Sequence, residues 1–207
     1  MPNVNQVLGE DDVPTRSQLV EMIRGVDGRS PKHQVRNRAL FSFAYLTGGR
    51  ISEIVKRVKK INLELGHDDG RDILFVKNFY TLKNRRHPNR TLPIPVYLEE
   101  EIYQFLDDYL ETLKPMDTLF DFSRVSAWKI ISGAVAKFKD RSRNRMLNAC
   151  HFLRHTRNSH LVTYYKFTDQ QLVQWNGWSN SEPVKYYMHL RTSGLLDTFR
   201  RSEDLKN

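Results

Sequence analysis

The hydrophobic positions in the first fifty residues recur at helical spacing. Residues 1–13 are polar, acidic and aperiodic, which predicts a linker or tail. Helices are predicted over residues 15–24 and 31–46, the second opening with a proline, which favours the first helical turn. Gly48-Gly49 ends the second helix, and a short helix is predicted to begin near Arg50. The apolar side chains that define these helices are Leu19, Met22, Ile23, Leu40, Phe43, Ala44 and Leu46.

Between residues 60 and 96 the pattern changes from helical spacing to alternation. Hydrophobic residues 61, 63 and 65 alternate with polar ones, and HDDGR follows as a turn. Residues 72–81 predict a second strand, and a third begins at Arg90 after the polar loop NRRHPN. Prolines in this third strand suit the edge of a sheet. We therefore predict three antiparallel strands.

The remainder of the chain is predicted to be helical. The predicted helices are 98–113, 124–139, 148–166, 168–175, 181–190 and 192–205. The fold class is therefore mainly α with a small three-stranded antiparallel sheet (α+β), in one domain over residues 14–191. Residues 192–207 form a C-terminal helix or tail, with an apolar side made by Leu195, Leu196 and Phe199.

Composition adds a preference for a polyanionic partner. The 207 residues include 33 Lys and Arg against 24 Asp and Glu, a net charge of +9. Basic domains of this kind favour nucleic acid because contacts with phosphate release counterions, although the same charge also keeps a protein in solution. No apolar run is long enough to span a membrane, and Cys150 has no second cysteine with which to pair. We expect a soluble, intracellular protein.

Several separated residues together match the chemistry of a phosphodiester. Arg50 and Arg154 supply guanidinium groups, each of which can donate two hydrogen bonds to the non-bridging oxygens of a phosphate. His151 precedes Arg154 by three positions, and Tyr187 follows Trp178 by nine. A phenol can attack the phosphorus, while an imidazole and an indole N–H can move or donate protons. This set requires no metal.

The order of these residues resembles that of the tyrosine recombinases, also called phage-type integrases. The resemblance covers the chain from about Pro14 to Leu190. Its motifs here are TGGRISEI, FVKNFYTLKNRRHPNRTLPIP, HFLRHTRNSHL and GWSNSEPVKYYMH. In order, the predicted catalytic residues are Arg50, Lys83, His151, Arg154, Trp178 and Tyr187, supported by Glu53.

The resemblance implies a role for each residue. The two arginines would bind the non-bridging oxygens, Lys83 would protonate the leaving 5′-oxygen, and His151 would act as acid or base. Trp178 would donate from its indole, and Tyr187 would form a 3′-phosphotyrosyl bond. No metal or other cofactor is implied. The implied partner is double-stranded DNA, bound by a protein that is monomeric when free and a homotetramer on DNA. The resemblance implies that the protein acts in the cytoplasm, at the nucleoid, of a cell that hosts a virus, plasmid or integrated element.

Some alternatives remain open on the sequence. Lys77 is a rival for Lys83, and Tyr186 is the neighbour of the predicted nucleophile, expected to pack. His155 and His160 are expected to pack or face solvent, because HFLRH lacks the glutamate of a zinc-binding HExxH motif. Further DNA contacts are predicted from basic clusters at Arg85, Arg86, Arg90, Lys137, Lys139, Arg141 and Arg143.

The activity and the domain content of the protein also stay open. With the same residues the protein could relax supercoiled DNA, as a type IB topoisomerase does, or it could be a catalytically inactive DNA-binding domain of the same fold. About fifty residues precede Arg50, whereas family members usually carry a separate core-binding domain there. The chain therefore represents a catalytic fragment or resembles the short members. The resemblance also suggests that the C-terminal tail docks on a neighbouring subunit.

Overall fold

The computed structural model describes residues 13–82, 88–139 and 149–191. Seven α-helices lie in these ranges: α1 Arg16–Arg24, α2 Pro31–Thr47, α3 Ile51–Ile54, α4 Glu100–Leu110, α5 Arg124–Lys139, α6 Ala149–Thr163 and α7 Asp169–Asn176. Three strands, β1 Leu63–Asp68, β2 Arg71–Tyr80 and β3 Asn89–Pro95, form the sheet. The predicted class of a mainly helical protein with one small antiparallel sheet is confirmed.

The first two helices are delimited by local capping. The Thr15 hydroxyl accepts from the Gln18 backbone N–H, and the Gln18 side chain accepts from the Thr15 N–H, so α1 starts where predicted. Ser30 caps α2 in the same way, directly before the proline. Gly48 ends α2 in the left-handed conformation, at φ 60°.

Helix α2 is the centre of the fold. Its residues from Ala39 to Thr47 are all buried, and it packs against α4 and α6. The second half of α2 therefore has no solvent face, whereas its first turn is exposed. The C-terminal end of α2 therefore brings the Gly48-Gly49 turn into the interior, beside α6.

The sheet has the order β1-β2-β3, with both pairs antiparallel. Asp69 and Gly70 both have positive φ in the turn between β1 and β2, as the HDDGR prediction requires. Leu65 pairs with Leu74, but Leu74 is buried and Leu65 is 52% exposed. The hydrophobic core therefore covers this face at β2 and thins out at the edge strand β1.

The predicted elements differ from the structure in two places. Ile61 lies in a short 3₁₀ turn, Lys60–Asn62, and is largely exposed, so the first strand starts two residues later than the alternation suggested. The helix predicted over 181–190 is a 3₁₀ helix, Glu182–Arg191, here called the Tyr187 helix. Among the described residues, no helix is long and apolar enough to cross a membrane.

Two predicted segments fall outside the description. The tail at residues 1–13 is described only at Val13, and the helix at 192–205 is not described. The domain boundaries near residues 13 and 191 therefore stay predictions, and so does the docking of the tail on a neighbour.

Candidate active site

A cavity of about 420 Å³ lies where α3, α5 and α6 meet. Three of the predicted catalytic residues, Arg50, His151 and Arg154, line it. Arg124, Val125 and Trp128 of α5 form another wall, together with Ile51, Ser52 and Cys150. The structure thus brings together residues that lie about one hundred positions apart, and it adds Arg124 and Trp128, which the sequence analysis did not select.

The Gly49 backbone allows the turn before Arg50 to enter the interior. A Cβ placed on Gly49 would lie 2.6 Å from Cζ of Phe79 on β2, which is closer than carbon atoms pack. The missing side chain therefore lets the Phe79 ring seat against this turn. Arg50 follows at once, as the residue that precedes α3.

Glu53 holds Arg50 in place. Its carboxylate accepts from Arg50 Nη1 at 2.9 Å and from the Arg50 backbone N–H at 3.0 Å. It also accepts from the Leu82 backbone N–H at 3.1 Å. Burial of Glu53 raises its pKa, but the hydrogen bond from the Arg50 backbone and the charges of Arg50 and Arg154 outweigh burial and leave the pKa below its usual value. The carboxylate is therefore ionised and fixes one guanidinium at the cavity.

Arg154 has one free hydrogen-bonding group inside the protein. It is 5% exposed, and its Nη1 donates to the Gly48 carbonyl oxygen at 2.7 Å. Its Nη2 has no hydrogen-bond partner among the described residues. Burial, and then the charge of Arg50, lower the pKa of Arg154 to about 10. The group stays cationic at neutral pH, so the cavity wall includes a residue with a buried positive charge and an unused donor, which suits an anion.

Trp178 lies beside Arg154 because of the turn that ends α7. Gly177 adopts the left-handed conformation, at φ 62°, and the Trp178 N–H donates to the Val173 carbonyl oxygen at 3.0 Å. The Arg154 guanidinium lies 5.8 Å from the Trp178 ring centroid. The predicted indole is thus brought to the predicted arginine.

Tyr187 lies next to this group, but its hydroxyl is buried. The ring stacks against Trp178 with centroids 6.4 Å apart, and the residue is 5% exposed. Its oxygen lies 2.8 Å from His155 Nδ1 and accepts from Asn158 Nδ2 at 3.1 Å. Burial raises the pKa of the Tyr187 phenol to about 12. The predicted nucleophile is therefore a neutral phenol that faces α6.

His155 and Asn158 were not predicted as site residues. Burial, and then the charges of His151 and Arg154, lower the pKa of His155 to about 4, so its imidazole is neutral. A neutral ring can accept a hydrogen bond from the phenol at Nδ1, while Asn158 donates to the phenolic oxygen. The one sequence signal was the spacing of four between His151 and His155, which places them on the same face of a helix.

Only some of the other predicted residues are described by the structure. Lys83 lies outside the described residues, so its role stays a prediction. Lys77 forms an ion pair with Glu64 on β1. Tyr186 is half-buried against the core, as expected. Arg85, Arg86, Arg141 and Arg143 are not described, nor are the side chains of Lys137 and Lys139.

Arg90 is directed into the protein. Its Nε donates to the Trp175 carbonyl oxygen at 2.8 Å, its Nη1 contacts Thr81 Oγ1, and its guanidinium lies over the Phe79 ring. Burial lowers the pKa of Arg90 to about 10. The guanidinium thus joins β3 to the end of α7, and the predicted DNA contact at this position stays a prediction.

Among residues 13–82, 88–139 and 149–191, no three His, Cys, Asp or Glu side chains gather closely enough to hold a metal ion. The charged side chains that line the cavity include three arginines, Arg50, Arg124 and Arg154, and no carboxylate from the described part of the chain. These donors suit an anionic ligand.

The sequence model of the phage integrase family matches residues 13–193. The chain belongs to this family, the tyrosine recombinases. A search of curated proteins finds no significant match. Solved structures share the fold at low sequence identity.

Three solved structures illustrate the likeness. The catalytic domain of bacteriophage HP1 integrase is 22% identical, with a TM-score of 0.56, over 93% of this chain and 92% of that one. The XerH recombinase bound to its difH substrate is 18% identical, with a TM-score of 0.62, over 87% of this chain and 50% of that one. The Tn1549 transposon integrase in complex with transposon right-end DNA is 20% identical, with a TM-score of 0.54, over 93% and 67%. The integrase-like fold is confirmed, and the chain spans about half the length of XerH.

Proposed function

We propose that this domain cleaves and rejoins double-stranded DNA as a site-specific recombinase or integrase, through a 3′-phosphotyrosine at Tyr187. The observation that carries the proposal is the buried Arg154, which keeps Nη2 unpartnered among the described residues and lines the same cavity as Arg50. A scissile phosphate there would accept from both guanidinium groups. Family membership and the DNA-bound state of XerH and of the Tn1549 integrase support DNA as the substrate.

In the proposed reaction the Tyr187 oxygen gives its proton to His151 as it attacks the phosphorus and forms a phosphotyrosyl ester. The bond from phosphorus to the 5′-oxygen breaks, and Lys83 gives that oxygen a proton. Charge that develops on the non-bridging oxygens is stabilised by Arg50 and Arg154, and positioned donors of this kind contribute a factor of roughly 10²–10³ each. A 5′-hydroxyl from a partner strand then attacks the ester, which releases Tyr187.

A nicked duplex provides the test. DNA from the region that flanks the gene is nicked next to the cleavage position, so that the short 5′-hydroxyl fragment diffuses away and the covalent adduct accumulates. The wild type should give an adduct that survives denaturant, Tyr187→Phe should give none, and Tyr186→Phe should behave as wild type. An adduct that persists in Tyr187→Phe and disappears in Tyr186→Phe moves the nucleophile by one residue.

The same assay tests the remaining expectations. Adduct formation should be unchanged in the presence of a chelator, because the proposed reaction uses protein side chains alone. Cross-linking on DNA that carries two target sites should show the proposed homotetramer. A wild-type protein that binds DNA with no adduct on any nicked site would support a silent DNA-binding domain instead.

A further inference from the structure

One face of α6 contacts both the hydroxyl of Tyr187 and the cavity described above. His151, His155 and Asn158 are spaced by four and three residues, so they lie on one side of the helix. His151 lines the cavity, whereas His155 and Asn158 hold the phenol. Four residues of α-helix correspond to roughly 6 Å. His155, which contacts the phenol, therefore lies one helical turn after His151 and directly after Arg154, another residue of the cavity wall.

We propose that His155 and Asn158 form a docking site that stores the Tyr187 hydroxyl, and that strand cleavage requires the phenol to leave it toward His151 and Arg154. The cleavage step of this inference rests on the proposed function. His155 and Asn158 are thus positioning residues, acting on the reaction through the nucleophile.

Both hydrogen bonds of the docked phenol are well made. The Asn158 amide donates to the phenolic oxygen, and in the tautomer whose Nδ1 carries no proton the hydroxyl donates to His155 Nδ1. Asn158 is oriented in turn by Asn176, whose Nδ2 donates to Asn158 Oδ1 at 2.9 Å. Asn176 is fixed by a second bond to the Leu172 carbonyl oxygen. A connected set of buried hydrogen bonds of this kind favours one position of the phenol.

The environment of the docked phenol suits storage better than reaction. Tyr187 is 5% exposed, and it is absent from the residues that line the cavity. Burial keeps the phenol neutral, and the His155 imidazole is a weak base in this position. Proton transfer from the phenol to this ring is therefore unfavourable, whereas the neutral pair is stable.

Weakening the docking site should shift the population of Tyr187 toward the undocked state. His155→Phe keeps the ring volume and removes the acceptor, and Asn158→Leu keeps the size and removes the donor. Each lost hydrogen bond should raise the undocked fraction roughly two- to tenfold. His155→Asn, which presents an oxygen near the place of Nδ1, should stay close to wild type.

Labelling of the free protein measures this fraction without DNA. Tyrosines are nitrated with tetranitromethane, and the modified positions are quantified by peptide mass spectrometry. Tyr164, which is 51% exposed, and Tyr45, which is fully buried, serve as internal references. Nitration of Tyr187 should rise in His155→Phe and in Asn158→Leu, at unchanged nitration of Tyr45.

A matched control comes from the same helix. His160 Nδ1 lies 2.7 Å from the Tyr45 hydroxyl, another buried bond between an imidazole and a phenol. His160→Phe should leave the nitration of Tyr187 at the wild-type level. If Tyr187 reacts equally in the wild type and both docking variants, or if His160→Phe exposes it as much, the docking site does not exist.

Adduct formation on the nicked duplex supplies the second readout. The initial rate should rise in both docking variants in step with nitration. A rise in nitration together with loss of the adduct in His155→Phe alone would overturn the proposal, because His155 would then be required in the chemical step. If the wild type forms no adduct, the proposed function is wrong. The docking site is then tested by the nitration experiment alone.

Discussion

Arg154 and Arg157 lie one turn apart on α6, and they are stabilised in different ways. Arg157 is fully buried and donates to the Glu99 carboxylate, with the Tyr45, Tyr165 and Trp175 rings around it. Arg154 donates to a carbonyl oxygen and has no carboxylate partner among the described residues, and each guanidinium keeps one buried nitrogen unpartnered there, Nη2 of Arg154 and Nε of Arg157. One cation is paired with a buried carboxylate, and the other belongs to a residue that lines the cavity.

Arg154→Met should therefore separate activity from stability. Adduct formation should fall at least about 100-fold, because the proposed phosphate contact is lost. The free energy of unfolding should change by less than about 1 kcal/mol or rise, because a buried charge with an unpaired donor is replaced by an apolar side chain of similar length. Urea unfolding measures stability, and the nicked duplex measures cleavage. A large loss of stability at retained activity contradicts the assignment.

Arg157→Met should have the opposite effect on the fold. Removal of this cation leaves the Glu99 carboxylate buried without its main partner, which costs roughly 3–5 kcal/mol. Thermal and urea unfolding should show this loss in the absence of DNA. The double variant Arg157→Met with Glu99→Gln should recover part of it, and no recovery would mean that the ion pair is not the cause.

Gly177 should resist any side chain. Its φ of 62° is unfavourable for other residues, and a Cβ there would lie 2.7 Å from Thr81 Oγ1 and 2.9 Å from Thr81 Cγ2. Gly177→Ala should cost more than about 1 kcal/mol and displace Trp178, which the quenching of its fluorescence would report. Gly133 in α5 is the matched control. A Cβ on Gly133 meets nothing within 4 Å, so Gly133→Ala should stabilise the protein by about 0.5–1 kcal/mol.

His160 should make the protein less stable in acid. Its Nε2 lies 2.9 Å from the Pro14 carbonyl oxygen, and burial, followed by the charge of Arg157, lowers its pKa from 6.5 to about 4. Between these values the unfolded chain binds a proton that the folded protein does not, so stability falls as the pH falls. From pH 7 to pH 5 this amounts to about 2 kcal/mol for one imidazole.

Urea unfolding of the wild type and His160→Gln at both pH values checks this prediction. The variant should be less stable at pH 7, and the difference should shrink by about 2 kcal/mol at pH 5. His155, whose pKa is lowered in the same direction, contributes equally to both proteins and cancels. A difference that does not depend on pH would mean that His160 does not titrate in this range.

Features with a local cause were predictable from the sequence. Thr15 and Thr168 cap their helices with the glutamine three residues later, and Asp69-Gly70 form the expected hairpin turn. The family motifs also selected Arg50, His151 and Arg154, which line one cavity in the structure. The helices and the turn depend on spacing and on turn residues, which short stretches of sequence determine.

Features that depend on the packing of distant segments were not predictable. His155 was expected to pack or face solvent, and it contacts Tyr187 only because the Tyr187 helix returns along α6. Arg157 follows the predicted Arg154 by three residues, but its partner Glu99 comes from the start of α4. The pattern of polar residues on α6 could not show which cation would be paired.

The carboxylate of Glu53 has a consequence for how this domain can vary. It accepts hydrogen bonds from Arg50, at the start of α3, and from the backbone N–H of Leu82, which lies 29 residues after Glu53. Two stretches of chain that look like separate motifs therefore share a single anchor. A substitution at position 53 disturbs both at once, and a change in either stretch must preserve the shape that the other requires. Substitutions in the two stretches are therefore expected to accompany each other in evolution.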